Sequence, residues 1–286
     1  MPHKIYFIEE GHSYFYDTNR LISGTAFLKK FSPEFDHVRQ LTISAIKKLI
    51  GDEKYKRIRK EIFSYNFNPN LEDIKDLFVD LSGGETLVEE IKNKILQEWE
   101  DSGPKGTKFH KQMELEYIDI GYEINPYTGN KLDLVTFDKM HDNEVYDMDL
   151  YKCPDGFYVE FLAYHKDIPL DKTICGTIDK LFIETIDGVR YTWTDDWKTN
   201  SSEPTESKFE KMLPPLEHLY SNKHTDYVLQ ASIYQSMLKS HGFTPMGSSY
   251  TWIDNYDKQK SKQKLFSLKL EDIDASINYY KKVNNC

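Results

Sequence analysis

Apolar and polar positions alternate with a period of two in some stretches of this chain and with a helical period in most others. "KIYFIEEGHSYFY" (4–16) alternates on both sides of Glu10 and Gly11 and predicts a β-hairpin. Ser23 or Thr25 then caps a short helix, "TAFLKKF", closed by Pro33. From about Asp36 to Asp101 the spacing is helical, in "HVRQLTISAIKKLI", "LEDIKDLFVDL" and "ETLVEEIKNKILQEWE", with breakers at "NFNPN" and "SGG". "GPKGT" (103–107) is expected to reset the chain into another helix, "KFHKQMELEYIDI", and the polar, acidic stretch to Tyr151 into a loop or insertion. Period-two strands follow at "GFYVEFLAY", "GTIDKLFIE" and "VRYTWTDDW", then a helix, "DYVLQASIYQSMLKS". Strands at "GSSYTWID" and "KLFSLKL" and a last helix, "EDIDASINYYKK", complete the pattern. The expected class is α/β, a central mixed β-sheet flanked by helices. One domain, 1–286, would comprise a helical subdomain over 36–101 and a core over 102–286.

Composition narrows the setting. The 286 residues are 39% hydrophobic and 29% charged, as in a soluble globular chain, and no apolar run approaches the ~20 residues of a membrane span. The N-terminus reads as a strand instead of a signal peptide, so a cytoplasmic setting is expected. Cys153, Cys175 and Cys286 are far apart, with no CxxC pair and no disulfide framework. A net charge of −10 argues against a sequence-wide grip on nucleic acid. Locally, "KKLIGDEKYKRIRKE" (47–61) holds seven basic and three acidic residues. It is either a solvated helix face or a polyanion contact, with Lys54, Lys56, Arg57 and Arg59 as its candidates.

The densest chemistry sits in "TWTDDWKT" (192–199). Asp196 and Lys198 are two apart and share a strand face. Alone, they are no more than a surface ion pair. Upstream, Asp187-Gly188 is a strong two-residue hairpin signal, and counting outward from it sets Asp179 opposite Asp196. Facing residues of an antiparallel pair have Cβ atoms about 4.5–5.5 Å apart, where two like charges repel unless a cation lies between them. Two carboxylates plus water is a common way to hold Mg²⁺.

Three further constellations carry weaker signals. His110 and Glu114, four apart, share a helix face, either polar surface or site. Gln230 and Tyr234 do likewise, either in core packing or in a site. Glu160, on the strand before Asp179, is either a solvent-facing residue or a further carboxylate within reach.

Taken in order, these pieces resemble the PD-(D/E)XK nuclease superfamily, in its RecB-type exonuclease branch. The matching residues are Gly106 to His110 with Glu114, Gly176 to Asp179, Asp196-Trp197-Lys198, and Gln230 to Tyr234. The resemblance spans about 106–234, and the N-terminal hairpin and helices are also similar to phage and mitochondrial exonucleases of this type. It implies a restriction-endonuclease-like core and a metal-dependent DNA exonuclease acting on single-stranded ends. Asp179, Asp196, His110 and the Trp197 carbonyl would hold Mg²⁺ or Mn²⁺, with Lys198 and Glu114 completing the catalytic set. Gln230 and Tyr234 would contact or orient DNA, and the basic 47–60 segment would form an arch guiding the strand. Some relatives carry a four-cysteine iron–sulfur cluster, which three cysteines cannot build. An endonuclease on the same core, or a non-catalytic nucleic-acid-binding or virion protein, would share the fold. The chain's many Asn, Lys, Ile and Tyr codons suggest an AT-rich genome, such as a phage's.

Overall fold

The computed structural model describes residues 5–8, 11, 13–34, 37–51, 53, 55, 85–136, 150–200, 202–206, 208, 210–284 and 286. In chain order the elements begin with β1 (Ile5–Ile8), β2 (Ser13–Tyr16), β3 (Asn19–Arg20), β4 (Ile22–Ser23), α1 (Gly24–Lys29), α2 (His37–Ile50) and α3 (Glu85–Ile120). There follow β5 (Tyr122–Ile124), β6 (Lys131–Asp133), β7 (Gly156–Tyr164), β8 (Ile174–Ile186), β9 (Val189–Lys198), α4 (Lys223–Ser240), β10 (Thr244–Ile253), β11 (Ser261–Phe266) and α5 (Leu270–Asn284). No described helix is long and apolar enough to cross a membrane. The three cysteines are free thiols.

The chain divides into two compact units, one of residues 1–33 and 109–286, the other of residues 34–108. The N-terminal strands therefore belong with the core. In the smaller unit, Lys48 of α2 pairs with Glu98 of α3 at 2.7 Å, and Lys47 lies 5.2 Å from the Tyr55 ring centre. Lys54, Lys56, Arg57 and Arg59 fall outside the described residues, as does the expected helix "LEDIKDLFVDL".

The larger unit is α/β. Its mixed six-stranded sheet runs β11-β10-β9-β8-β4, with β7 also paired to β8. β9–β10 and β4–β8 are parallel and the other pairs antiparallel. The hairpin of β8 and β9 forms because Asp187 (φ 51°) and Gly188 (φ 77°) both take the left-handed backbone a two-residue turn requires. Its register runs from Ile186↔Val189 to Lys180↔Asp195, so Asp179 and Asp196 come next. Helices α4 and α5 cover one side over a core that includes Tyr158, Leu181, Ile183, Leu229, Ile233, Met237, Ile273 and Ile277. Side chains on α4 are buried from Val228 to Leu229 and from Ala231 to Leu238.

Several expectations need correction. "GPKGT" does not break the chain: α3 runs through Pro104. Proline removes one backbone bond from a helix, at a cost of about 3 kcal/mol, but here Gly103, Pro104 and Glu100 are exposed, so water reaches the freed carbonyl. Ser102 Oγ and Thr107 Oγ also donate to the carbonyls of Trp99 and Gly103. The stretch after α3 is not all loop, since β5 and β6 pair as a hairpin. Strand "KLFSLKL" ends at Phe266, and Leu270 already opens α5. Ser23, not Thr25, caps α1, accepting from Ala26 N–H at 3.1 Å.

Candidate metal centre

Three strands of the sheet and two helices bring polar side chains together. Asp179 stands on β8 just beyond its ladder with β9. One oxygen accepts the Trp197 backbone N–H at 2.7 Å; the other lies 3.4 Å from His110 Nδ1. On the other flank of β8, the pairs Val159↔Lys180 and Phe161↔Ile178 place Glu160 opposite Asp179. Glu160 sits at φ 49°, a left-handed conformation that a strand residue rarely adopts. Ligand-type atoms of His110, Glu160 and Asp179 all lie within 4.8 Å of one another.

Asp196 forms an ion pair with Lys198. Lys198 Nζ also donates to Gln230 Oε1 at 3.0 Å and lies 4.5 Å from the Tyr227 ring centre. Gln230 in turn donates to the Tyr234 hydroxyl at 3.0 Å and reaches Asp196 Oδ1 at 3.4 Å. The buried Tyr234 ring fits because residue 176 is glycine: a Cβ there would stand 2.7 Å from Tyr234 Cε1. A small residue on β8 thus lets α4 approach closely enough for Gln230 to reach the aspartate–lysine pair.

Electrostatics separates the two facing aspartates. Burial works against charge on Asp179, but His110, Lys198 and the Trp197 amide outweigh it and hold its pKa below the usual value. Burial and the Asp179 charge push Asp196 up to about 6, against the pull of Lys198 and His110. Burial would lower His110, yet Asp179, Asp196 and Glu160 raise it to about 9. Lys198 is likewise raised, its neighbours Asp196 and Asp179 overcoming burial. Without a metal, protonated His110 supplies positive charge that the crowded carboxylates demand.

The sequence-derived residues do not all converge. Glu114 is buried one turn beyond His110 and pairs with Lys111 at 3.1 Å; it is not among the grouped ligand atoms. Trp197 contributes its amide, and its ring stacks on Tyr117 at 5.7 Å and 11°. Gln230 and Tyr234 are partly and fully buried respectively, bonded to site residues. Glu160, for which a solvent-facing position was an equal expectation, is partly buried and its carboxylate groups with His110 and Asp179. Tyr227 was missed, although it precedes Gln230 by three on one helix face, a spacing that pointed to it.

One imidazole and two carboxylates, from His110, Glu160 and Asp179, are a ligand set that could hold a divalent metal ion. Neither the family models nor the curated proteins compared with this chain give a match.

Proposed function

We propose that the protein is a Mg²⁺- or Mn²⁺-dependent deoxyribonuclease of the PD-(D/E)XK type with a restriction-endonuclease-like core, an exonuclease acting on single-stranded ends. The single observation that carries this reading is the convergence of His110, Glu160 and Asp179 beside an Asp196–Lys198 pair. His110, Glu160, Asp179 and Asp196 would hold the ion, joined by the Trp197 carbonyl. When bound, such an ion supplies Lewis acidity toward a phosphoryl oxygen and lowers the pKa of a coordinated water. Lys198, oriented by Gln230 and Tyr227, would position the attacking water and offset charge developing on the phosphate. Gln230 then acts by holding that lysine, Tyr234 by holding Gln230, and Glu114 by supporting the helix turn that carries His110.

The test incubates the protein and Mg²⁺ or Mn²⁺ with single-stranded, blunt and covalently circular DNA, the linear substrates labelled separately at their 5′ and 3′ ends. Linear single strands should be degraded and circles largely spared. Equal cutting of circles would replace the exonuclease by an endonuclease. Degradation that Asp179→Asn and Lys198→Ala leave unchanged would remove the site altogether.

A further inference from the structure

A second basic run lies in the larger unit. From Lys258 to Lys269, "KQKSKQKLFSLK", there are five lysines and no acidic residue, in a chain of net charge −10. Two of these lysines lie on the edge strand β11, and the sheet's register says where. Tyr250 of β10 is paired with Asp196 on one side and with Lys264 on the other. Trp252 is paired with Lys198 on one side and with Lys262 on the other. Directly paired residues share a sheet face. Lys264 and Lys262 therefore continue the same two rows, on the same face, as Asp196 and Lys198. Each is two strands away, about 10 Å at the strand spacing of a sheet.

Neither lysine is buried. Lys262 is 65% exposed and meets Glu203 at 2.9 Å, with its ammonium 5.7 Å from the Trp252 ring centre. Lys264 is half-buried and forms no ion pair among the described residues. Glu203 belongs to the connection after β9, and it is the carboxylate that an incoming phosphate would have to displace. An exposed pair of this kind is worth about 0–1 kcal/mol, so displacement costs little.

We propose that Lys262 and Lys264 bind the phosphodiester backbone of the substrate about 10 Å from the reacting phosphate, with Glu203 competing for Lys262. This rests on the nuclease reading above. It adds a direction to it: the strand leaves the metal centre toward the β11 edge, passing outside the covered Tyr250 and Trp252 of β10. A span of 10 Å corresponds to about three nucleotides of helical rise.

Anisotropy of a labelled single-stranded oligonucleotide tests it, in Ca²⁺ and again in EDTA, over a salt series. The Lys262→Ala/Lys264→Ala double variant should bind roughly tenfold more weakly at low salt, and its log–log salt slope should be shallower by about 1.4. Glu203→Gln should bind more tightly than the wild-type protein, a change of opposite sign that loss of folding cannot mimic. In cleavage assays the double variant should raise KM and leave kcat near the wild-type value. If the wild-type protein binds the oligonucleotide and the double variant binds equally well, this inference fails while the nuclease reading stands. The lysines would then be guards against edge-to-edge pairing, shown by self-association of the variant in light scattering. A wild-type protein that binds no DNA in either buffer would overturn both.

Discussion

On one face of the β8–β9 hairpin Lys180 meets Asp195 at 2.8 Å; on the other, Lys198 meets Asp196. The first pair is buried and the second nearly so, and adjacent residues of one strand supply the two aspartates, yet they are built differently. Asp195 is saturated: Ser249 Oγ donates to one oxygen at 2.7 Å, and Thr251 Oγ at 2.8 Å and Lys180 to the other. Burial opposes the Lys180 charge, but Asp195 overcomes it and raises the pKa, with the Tyr117 ring 5.2 Å away. Asp196 instead faces a second carboxylate, and its bond from Gln230 is long at 3.4 Å. A saturated pair locks the sheet. On the reading proposed above, the unsaturated pair crowded by like charge is where a cation and a substrate phosphate would bind.

The largest difference should appear in cleavage. Lys198→Ala is expected to lower the single-turnover rate on the order of a thousandfold or more, while metal and DNA still bind. Asp179→Asn should lose comparable activity together with Mn²⁺ binding, measured by calorimetry. A conservative change at Lys180 should leave the rate per folded molecule within a few-fold of wild type. A Lys198→Ala enzyme with near-normal turnover would make the two pairs equivalent and both structural.

Stability should show the reverse ranking. Asp195→Ala strands the Lys180 ammonium inside the protein, a change that costs about 3–5 kcal/mol in comparable buried pairs. Urea unfolding of the metal-free protein measures it. Replacing both partners with apolar residues should recover much of the loss, since the desolvation cost disappears with the charges. A double variant as unstable as the single one would show that the pair does more than neutralise itself.

The asymmetry was only half legible in the sequence. Asp187-Gly188 fixes its hairpin register locally, so the facing of Asp179 and Asp196 could be counted from the turn. The strands around them read correctly because period-two patterns and turn residues act over a few positions. The same count faces Lys180 with Asp195, but the burial of that pair could not be read, because its further partners Ser249, Thr251 and Tyr117 come from distant segments. Glu160 depends on a backbone conformation that no local pattern announces. The expectation at Pro104 failed for the opposite reason: a strong local breaker was overridden by a long helix whose turn there is exposed and tolerates one missing bond.

A titration away from both pairs sharpens the comparison by separating acid effects on the fold from those on the site. His165 is buried, and its Nδ1 accepts the Asp167 N–H at 3.3 Å. Burial, more than any neighbour, lowers its pKa to about 4, from an ordinary value near 6.5. A folded pKa below the unfolded one gives stability that is complete above pH 6.5 and is lost as pH falls toward 4. The loss should approach about 3 kcal/mol. His165→Gln should flatten that part of the stability–pH curve. An unchanged curve would assign acid unfolding to other groups.

The smallest expected effect distinguishes the two facing aspartates by sign. With its pKa raised to about 6, ionised Asp196 costs the metal-free fold energy at neutral pH. The raised value means that stability is greatest below the unfolded pKa of about 3.9 and declines as pH rises through 6. Asp196→Asn removes the repulsion from Asp179 but also loosens Lys198, so a net gain of about 1 kcal/mol is expected at pH 7. Asp179 is held below its usual value, chiefly by the His110 charge opposing burial, so Asp179→Asn should destabilise the same protein. Thermal unfolding in EDTA at neutral pH measures both. Adding Mn²⁺ should then raise the melting temperature of the wild type well above that of Asp196→Asn, because ion binding stabilises only the state that holds it. If both variants shift in the same direction without metal, the two carboxylates share their charge evenly, and the distinction between them disappears.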